Sequence, residues 1–160
     1  MRTRIVAVDG HGGAGKSTFA ARLATALGGV QVAHTADFAS WDDPLDWWPR
    51  CIAELLEPLA RGDIARYEVT AWTGIPRPAV EIVPAEVVIL EGVSSSREAF
   101  RPYLSGAIWV ETPREVCLAR GLTRDGEHMR PQWEAWLAAE DVYIARENPM
   151  ARADLVVQGV

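Results

Sequence analysis

Short apolar runs alternate along this chain with longer stretches of helical period. Ile5-Val6-Ala7-Val8, closed by Asp9-Gly10, predicts a buried central strand. Lys16 to Leu27 predicts a helix with Phe19, Leu23 and Leu27 on one face and Gly28-Gly29 as its stop. Val30 to Ala33 predicts a second strand that ends near Asp37. A loop carrying Trp41, Asp42, Asp43 and Pro44 leads into a helix over about 45–59, which Pro49 and Pro58 should bend or trim. Residues 61–84 are rich in Gly, Pro and β-branched residues, and predict irregular structure with short strands near Tyr67–Thr70 and Val80–Val83. Val87-Val88-Ile89-Leu90 is the clearest buried strand and ends in Glu91-Gly92; Ala107 to Val110 is another, ending at Glu111. Helical patterns cover 113–123 and 131–146, and Leu155-Val156-Val157 closes the chain as a last strand.

Apolar strands alternating with helices imply an α/β fold of three layers, a five-stranded and mostly parallel sheet flanked by helices. Ligands of such sheets lie beyond the carboxyl ends of the strands. Asp9-Gly10, Asp37, Glu91 and Glu111 all fall at such ends. Without repeats, low-complexity tracts or linkers, 1–160 reads as a single domain.

Composition narrows the function classes. At 160 residues, 49% of them hydrophobic, the chain can bury a core without staples. A net charge of −6 lacks the basic stripe that nucleic acid requires, so no nucleic-acid partner is expected. Cys51 and Cys117 stand far apart with no ligand-spaced companions, which suits reduced packing residues. No apolar run approaches the ~18 residues of a membrane helix, and the apolar run before Asp9 is too short for a signal-peptide core. A cytoplasmic protein without a membrane partner is the expectation. Of the 16 basic residues, Lys16 is the one lysine. Its position calls for a compact, flexible ammonium where the chain elsewhere uses arginine.

Gly10-His11-Gly12-Gly13-Ala14-Gly15-Lys16-Ser17 satisfies G-x-x-x-x-G-K-[ST] in full, after a predicted strand and before a predicted helix. Its glycines let consecutive N–H groups turn inward as an anion nest, and the helix adds its positive end. The phosphate-binding residues are therefore Gly10, Gly12, Gly13, Ala14, Gly15, Lys16, Ser17 and Thr18. Lys16 is expected to reach the β- and γ-phosphates of ATP (or GTP), and Ser17 to sit on Mg²⁺. His11 occupies a variable position of the motif and receives no role. Glu91, delivered by a buried strand, is the expected carboxylate near the metal, a helix cap or surface acid being the plain alternative. Asp37 is placed to accept a hydroxyl proton, a step worth roughly 10²–10⁴ in rate. Its plain alternative is a turn or cap aspartate.

This order of features resembles the uridine kinase-like branch of the P-loop nucleoside kinases, over most of the chain. Asp9 to Thr18 looks like that family's phosphate loop, and Ala36-Asp37-Phe38 is similar to its acidic-aromatic motif, whose aspartate is the base. Trp41-Asp42-Asp43-Pro44 resembles a segment whose aspartate contacts the nucleoside. Leu59-Ala60-Arg61-Gly62 with Tyr67-Glu68 resembles the stretch that brings a tyrosine to the acceptor pocket, and Glu91-Gly92 matches the metal-linked Glu-Gly. Arg120 and Arg124-Asp125 resemble the arginines of a mobile lid, here reduced to about 120–131. The chain also departs from the family. Trp72 stands where a histidine follows the tyrosine, and Thr73 and Gly74 stand where basic residues are expected. Trp41, Trp47, Trp48, Tyr67 and Trp72 could stack a base, a sugar or another flat ligand, or could be core residues.

The resemblance implies a magnesium-dependent kinase that moves the γ-phosphate of ATP to the hydroxyl of a small molecule, a nucleoside first. Lys16, Asp37, Arg120 and Arg124 would be catalytic, Asp42, Tyr67 and Trp72 would bind the acceptor, and Ser17 with Glu91 would hold the metal. Two alternatives stay open: a kinase of a non-nucleoside metabolite or drug, and a nucleotide-binding regulatory protein with little transferase activity. Oligomeric state is not legible.

Overall fold

Strand β1 (Arg4–Asp9) is hydrogen-bonded on both sides, as its apolar run predicts for a central strand. A computed structural model describes residues 2–70, 72 and 74–159. Thr73, one of the departures noted above, lies outside the described residues. After β1 come α1 (Lys16–Ala26), β2 (Gln31–His34) and a short 3₁₀ turn, Thr35–Asp37. One helical rod follows in pieces: α2 (Trp48–Cys51), a π-helical turn Ile52–Leu56, and α3 (Glu57–Arg61). Pro49 and Pro58 each sit in the first turn of their segment. Pro58 has no N–H to give the preceding turn, and the widened π turn lies just before it.

Strands β3 (Ala65–Tyr67) and β4 (Val80–Ile82) form a separate antiparallel pair. The expected strand over Tyr67–Thr70 is therefore shifted toward the N-terminus. Glu68 and Thr70 instead hold Arg50 and the backbone of Asp37. Strand β5 (Val87–Glu91), β6 (Leu104–Glu111), α4 (Arg114–Asp125), α5 (Arg130–Glu147), α6 (Pro149–Arg152) and β7 (Leu155–Gln158) complete the chain. The main sheet is five-stranded in the order β2-β5-β1-β6-β7, with every neighbouring pair parallel.

The two sides of the sheet bury different residues. Ile5, Val88 and Leu90 pack with Phe38, Leu55, Leu59 and Phe100 on one side, while Val8, Ile89 and Val110 pack with Ala20, Ala24 and Cys117 on the other. The helix α1 corrects one expectation. Lys16, Ala20 and Ala24 form its buried stripe, Phe19 and Leu23 are only partly buried, and Leu27 is 47% exposed beyond the last turn. Alanines let the helix lie close to the sheet, so the small side chains take the inner face. Cys51 and Cys117 are both buried and unpaired, as read from their isolation. Among the described residues no helix is long and apolar enough to cross a membrane.

Candidate active site

The loop between β1 and α1 lies at the carboxyl edge of the sheet, between the ends of β5 and β6. Gly13 has φ +81°, and a Cβ there would meet the carbonyl oxygen of Cys117 at 2.5 Å, so glycine is required on both counts. Gly15 caps α1 in the left-handed region, and the first intrahelical donor is the amide of Phe19. The amides before it, in the first turn of α1, therefore have no intrahelical acceptor. Lys16 is buried and its Nζ donates to the carbonyl of His11 at 2.7 Å, folded back over the loop.

Beside it, the Ser17 hydroxyl donates to Glu91 Oε1 at 3.1 Å, and His34 Nδ1 donates to Glu91 Oε2 at 2.6 Å. The sheet register sets this up by pairing His34 of β2 with Glu91 of β5. Burial opposes the charge on Glu91, but the hydrogen bond from His34, the Lys16 ammonium and the Ser17 hydroxyl outweigh it and hold the carboxyl below its usual value. The same bond to Glu91 raises the His34 imidazole. One hydroxyl and one ionised carboxylate fit Mg²⁺, which binds few protein oxygens and keeps water and phosphate as its other ligands. Among the described residues no cluster of three or more His, Cys, Asp or Glu could hold a metal by itself.

A cleft of about 790 Å³ opens over the loop, a size suited to a small-molecule site. Gly12, Gly13, Gly15, Lys16, Ser17 and Thr18 line it, with Glu91, Arg120 and Arg124. Arg120 donates to the carbonyls of Gly13 and Gly159, so it already touches the phosphate loop. Arg124 forks onto Asp125 and lies over the ring of Trp133 at 5.5 Å. Gly121, between these arginines, faces Trp133 so closely that a Cβ would overlap the indole.

The expected acceptor residues are distributed unevenly. Trp72 lines the cleft and its Nε1 donates to Ala36 O at 2.8 Å. Asp37 is buried just behind the lining residues Thr35, Ala36 and Ala39, where Tyr67 donates its hydroxyl to Oδ2 at 3.2 Å. Burial, then the Asp37 charge, pushes the Tyr67 phenol up. Arg77 approaches Asp37 Oδ1 at 3.8 Å, a cation on the acceptor side further along than the family's pattern suggested. Asp42 is exposed on its loop and is not brought to the cleft wall. Of the suggested aromatic lining, Trp47 and Trp72 reach the cleft, whereas Tyr67 is core.

Several participants escaped the sequence reading, and most lie on α5. Trp133, Trp136 and Glu140 line the cleft. Trp136 packs its ring against Trp41 and Trp72, each at 4.6 Å between centroids. Glu140 Oε1 accepts the Gly12 amide at 2.9 Å, and Tyr143 donates its hydroxyl to Asp9 Oδ2 at 2.7 Å. Asp141 holds His11 Nε2 at 3.0 Å and Arg114 at 3.0 Å. The spacing puts Trp133, Trp136, Glu140 and Tyr143 on one helical face, which the sequence shows, but not what that face meets.

Among known proteins, no family model matches the chain. A uridine kinase of Tolumonas auensis is 31% identical over 90 residues, 54% of this chain and 42% of that protein. The uridine kinase of Escherichia coli K12 is 32% identical over the same proportions. The chain thus matches less than half the length of these curated relatives. In fold, the structure of a possible uridine kinase from Bacillus stearothermophilus superimposes with a TM-score of 0.72 at 19% identity, over 98% of this chain and 89% of that one. Shikimate kinase from Bacteroides thetaiotaomicron superimposes with a TM-score of 0.51 at 15% identity, over 98% and 86%. The fold is that of the P-loop kinases, and among these the chain resembles the uridine kinase-like branch.

Proposed function

We propose that the protein is a magnesium-dependent phosphotransferase that moves the γ-phosphate of ATP to a hydroxyl of a small molecule, with a nucleoside as the first acceptor to test. The observation that carries this reading is the junction of Lys16, Ser17 and Glu91 at the floor of a cleft large enough for two small molecules. The loop amides of Gly13 and Gly15 and the first turn of α1 would hold the β- and γ-phosphates. Lys16 would leave the His11 carbonyl for the phosphate, and Arg120 would follow from the Gly13 carbonyl. Ser17 and Glu91 would hold Mg²⁺, which would supply charge neutralisation to the phosphates. Asp37 would accept the acceptor's hydroxyl proton, with Tyr67 fixing its carboxylate. It reaches the cleft only if the wall at Thr35–Ala36 yields on acceptor binding.

A non-nucleoside acceptor is the second reading. Trp72 in place of a hydrogen-bonding histidine favours it, because an indole packed on Trp41 and Trp136 offers a flat apolar face and few polar contacts to a base. ATP is the first nucleotide to test, with GTP as its alternative.

The test is an ADP-release assay with Mg·ATP across nucleosides, sugars and amino sugars, with Asp37→Asn as control. Acceptor-stimulated turnover that Asp37→Asn abolishes supports the reading. Turnover stimulated by no acceptor sinks it and leaves a nucleotide-binding protein of another role.

A further inference from the structure

Glu140 is buried to 2% exposure, lines the cleft, and has hydrogen-bonding capacity left over. Its Oε1 accepts the Gly12 amide at 2.9 Å. Its Oε2 accepts no hydrogen bond from the described residues. That oxygen is open to the cleft, within reach of a ligand. Burial of the side chain raises the Glu140 carboxyl, against the pull of the Lys16 ammonium and the Gly12 amide.

What could satisfy that oxygen is limited by charge. A phosphate offers acceptors and negative charge, the same as a carboxylate, so the triphosphate cannot be its partner. The missing group is a donor, and beside the phosphate loop, where Glu140 sits against Gly12, a hydroxyl donor is what the molecule that receives the phosphate carries. The surroundings agree. Trp136, one turn before Glu140 on α5, packs against Trp41 at a tilt and against Trp72 edge-on, and Trp72 is anchored to Ala36, the neighbour of Asp37. The inner face of α5 therefore runs from the phosphate loop, at Glu140, to the acceptor wall, at Trp136. A carboxylate beside an indole face is the chemistry that grips a hydroxylated ring, the carboxylate taking hydroxyl hydrogens and the indole covering the C–H face.

We propose that Glu140 and Trp136 form an acceptor subsite on α5 that binds a hydroxylated ring, with Glu140 Oε2 accepting a ring hydroxyl while Oε1 stays on the Gly12 amide. This rests on reading the cleft as a phosphotransferase site. Glu140 is in that case a specificity-determining residue: it selects acceptors by a hydroxyl other than the one phosphorylated, and it ties their capture to the phosphate loop.

The experiment follows tryptophan fluorescence as uridine, D-ribose, D-fructose, myo-inositol and D-glucosamine are each titrated into the protein saturated with Mg·AMP-PNP. Affinity for Mg·AMP-PNP is measured in parallel. Wild type is compared with Glu140→Gln, whose amide oxygen can still accept from Gly12, and with Trp136→Ala. The expected result is that at least one ring compound binds wild type and loses about tenfold or more in affinity in each variant. Nucleotide affinity in Glu140→Gln should stay within about threefold of wild type or become tighter, since a negative charge near the phosphates has gone. The inference is overturned if no compound binds wild type, if those that bind do so equally well to Glu140→Gln, or if Glu140→Gln loses nucleotide affinity, which would make Glu140 a prop of the loop. Binding that depends on Glu140, without ADP release from Mg·ATP, would sink the phosphotransferase reading and leave the subsite standing.

Discussion

Tyr143 of α5 donates its hydroxyl to the fully buried carboxylate of Asp9 at the end of β1, 2.7 Å away. Asp9 also accepts the amides of Gly10, Ser94 and Ser96 and the hydroxyl of Ser96. One carboxylate thus ties together the start of the phosphate loop, the loop after β5, and the helix that walls the cleft. Such a buried side chain needs partners for its oxygens, and these are held in place by the backbone around it.

Tyr143→Phe removes one donor and keeps the ring. A hydrogen bond to a charged group contributes roughly 1.5–3 kcal/mol, so urea unfolding should show a loss of that order. Asp9→Asn should cost more, because its amide N–H₂ would face backbone amides that also donate. Equal stability of both variants with wild type would show that the cluster does not hold α5 to the loop.

Nucleotide binding and transfer should separate by residue. Lys16→Ala should abolish binding of Mg·ATP measured by calorimetry. Asp37→Asn should leave that binding within about twofold and lower acceptor-stimulated turnover by roughly 10²–10⁴. A loss of nucleotide affinity in Asp37→Asn would mean that Asp37 supports the fold of the loop, as its burial and its bond from Tyr67 allow, and not the transfer step.

What could be read from the sequence was what is local. The loop from Gly10 to Thr18 and the strand that ends in Glu91 are each written within a few consecutive residues, so motif and periodicity sufficed to place them in the fold. His34 could not be found that way, because its role depends on the register that sets β2 against β5. Glu140 and Trp136 were equally invisible as site residues. A helix reading of 131–146 placed them on a helix, but nothing local says that this helix turns that face to Gly12 and Trp72. The inner face of α1 was misread for a related reason. Phe19, Leu23 and Leu27 were expected as one face, whereas Lys16, Ala20 and Ala24 are the buried stripe and Phe19 and Leu23 pack at its margin.

Gly121 is where α4 and α5 meet. A side chain there would drive into the indole of Trp133, which Asp125 also holds through Nε1 at 2.8 Å. Gly121→Ala should gain helix propensity of about 1 kcal/mol and lose more to overpacking, which costs about 1–3 kcal/mol in a well-filled site. The expected net effect is a lower melting temperature together with weaker Mg·ATP binding, since Arg120 and Arg124 flank the displaced position. A rise in melting temperature would show that α5 shifts freely against α4.

Glu140 gives a pH dependence whose sign follows from its burial. Its carboxyl is raised in the folded chain above the 4.5 of an unperturbed glutamate, so the folded state holds the proton to a higher pH than the unfolded state does. That contribution to stability is fully present below the unfolded value and is lost as pH rises through the folded one. Glutamine has no proton to lose. The stability of Glu140→Gln relative to wild type should therefore increase from pH 4.5 to pH 8, and the other titrating groups cancel in the difference. Urea midpoints of both proteins at several pH values measure it directly. A difference that stays flat, or that shrinks toward pH 8, would mean that Glu140 remains ionised throughout, its charge fully compensated by Lys16 and the Gly12 amide.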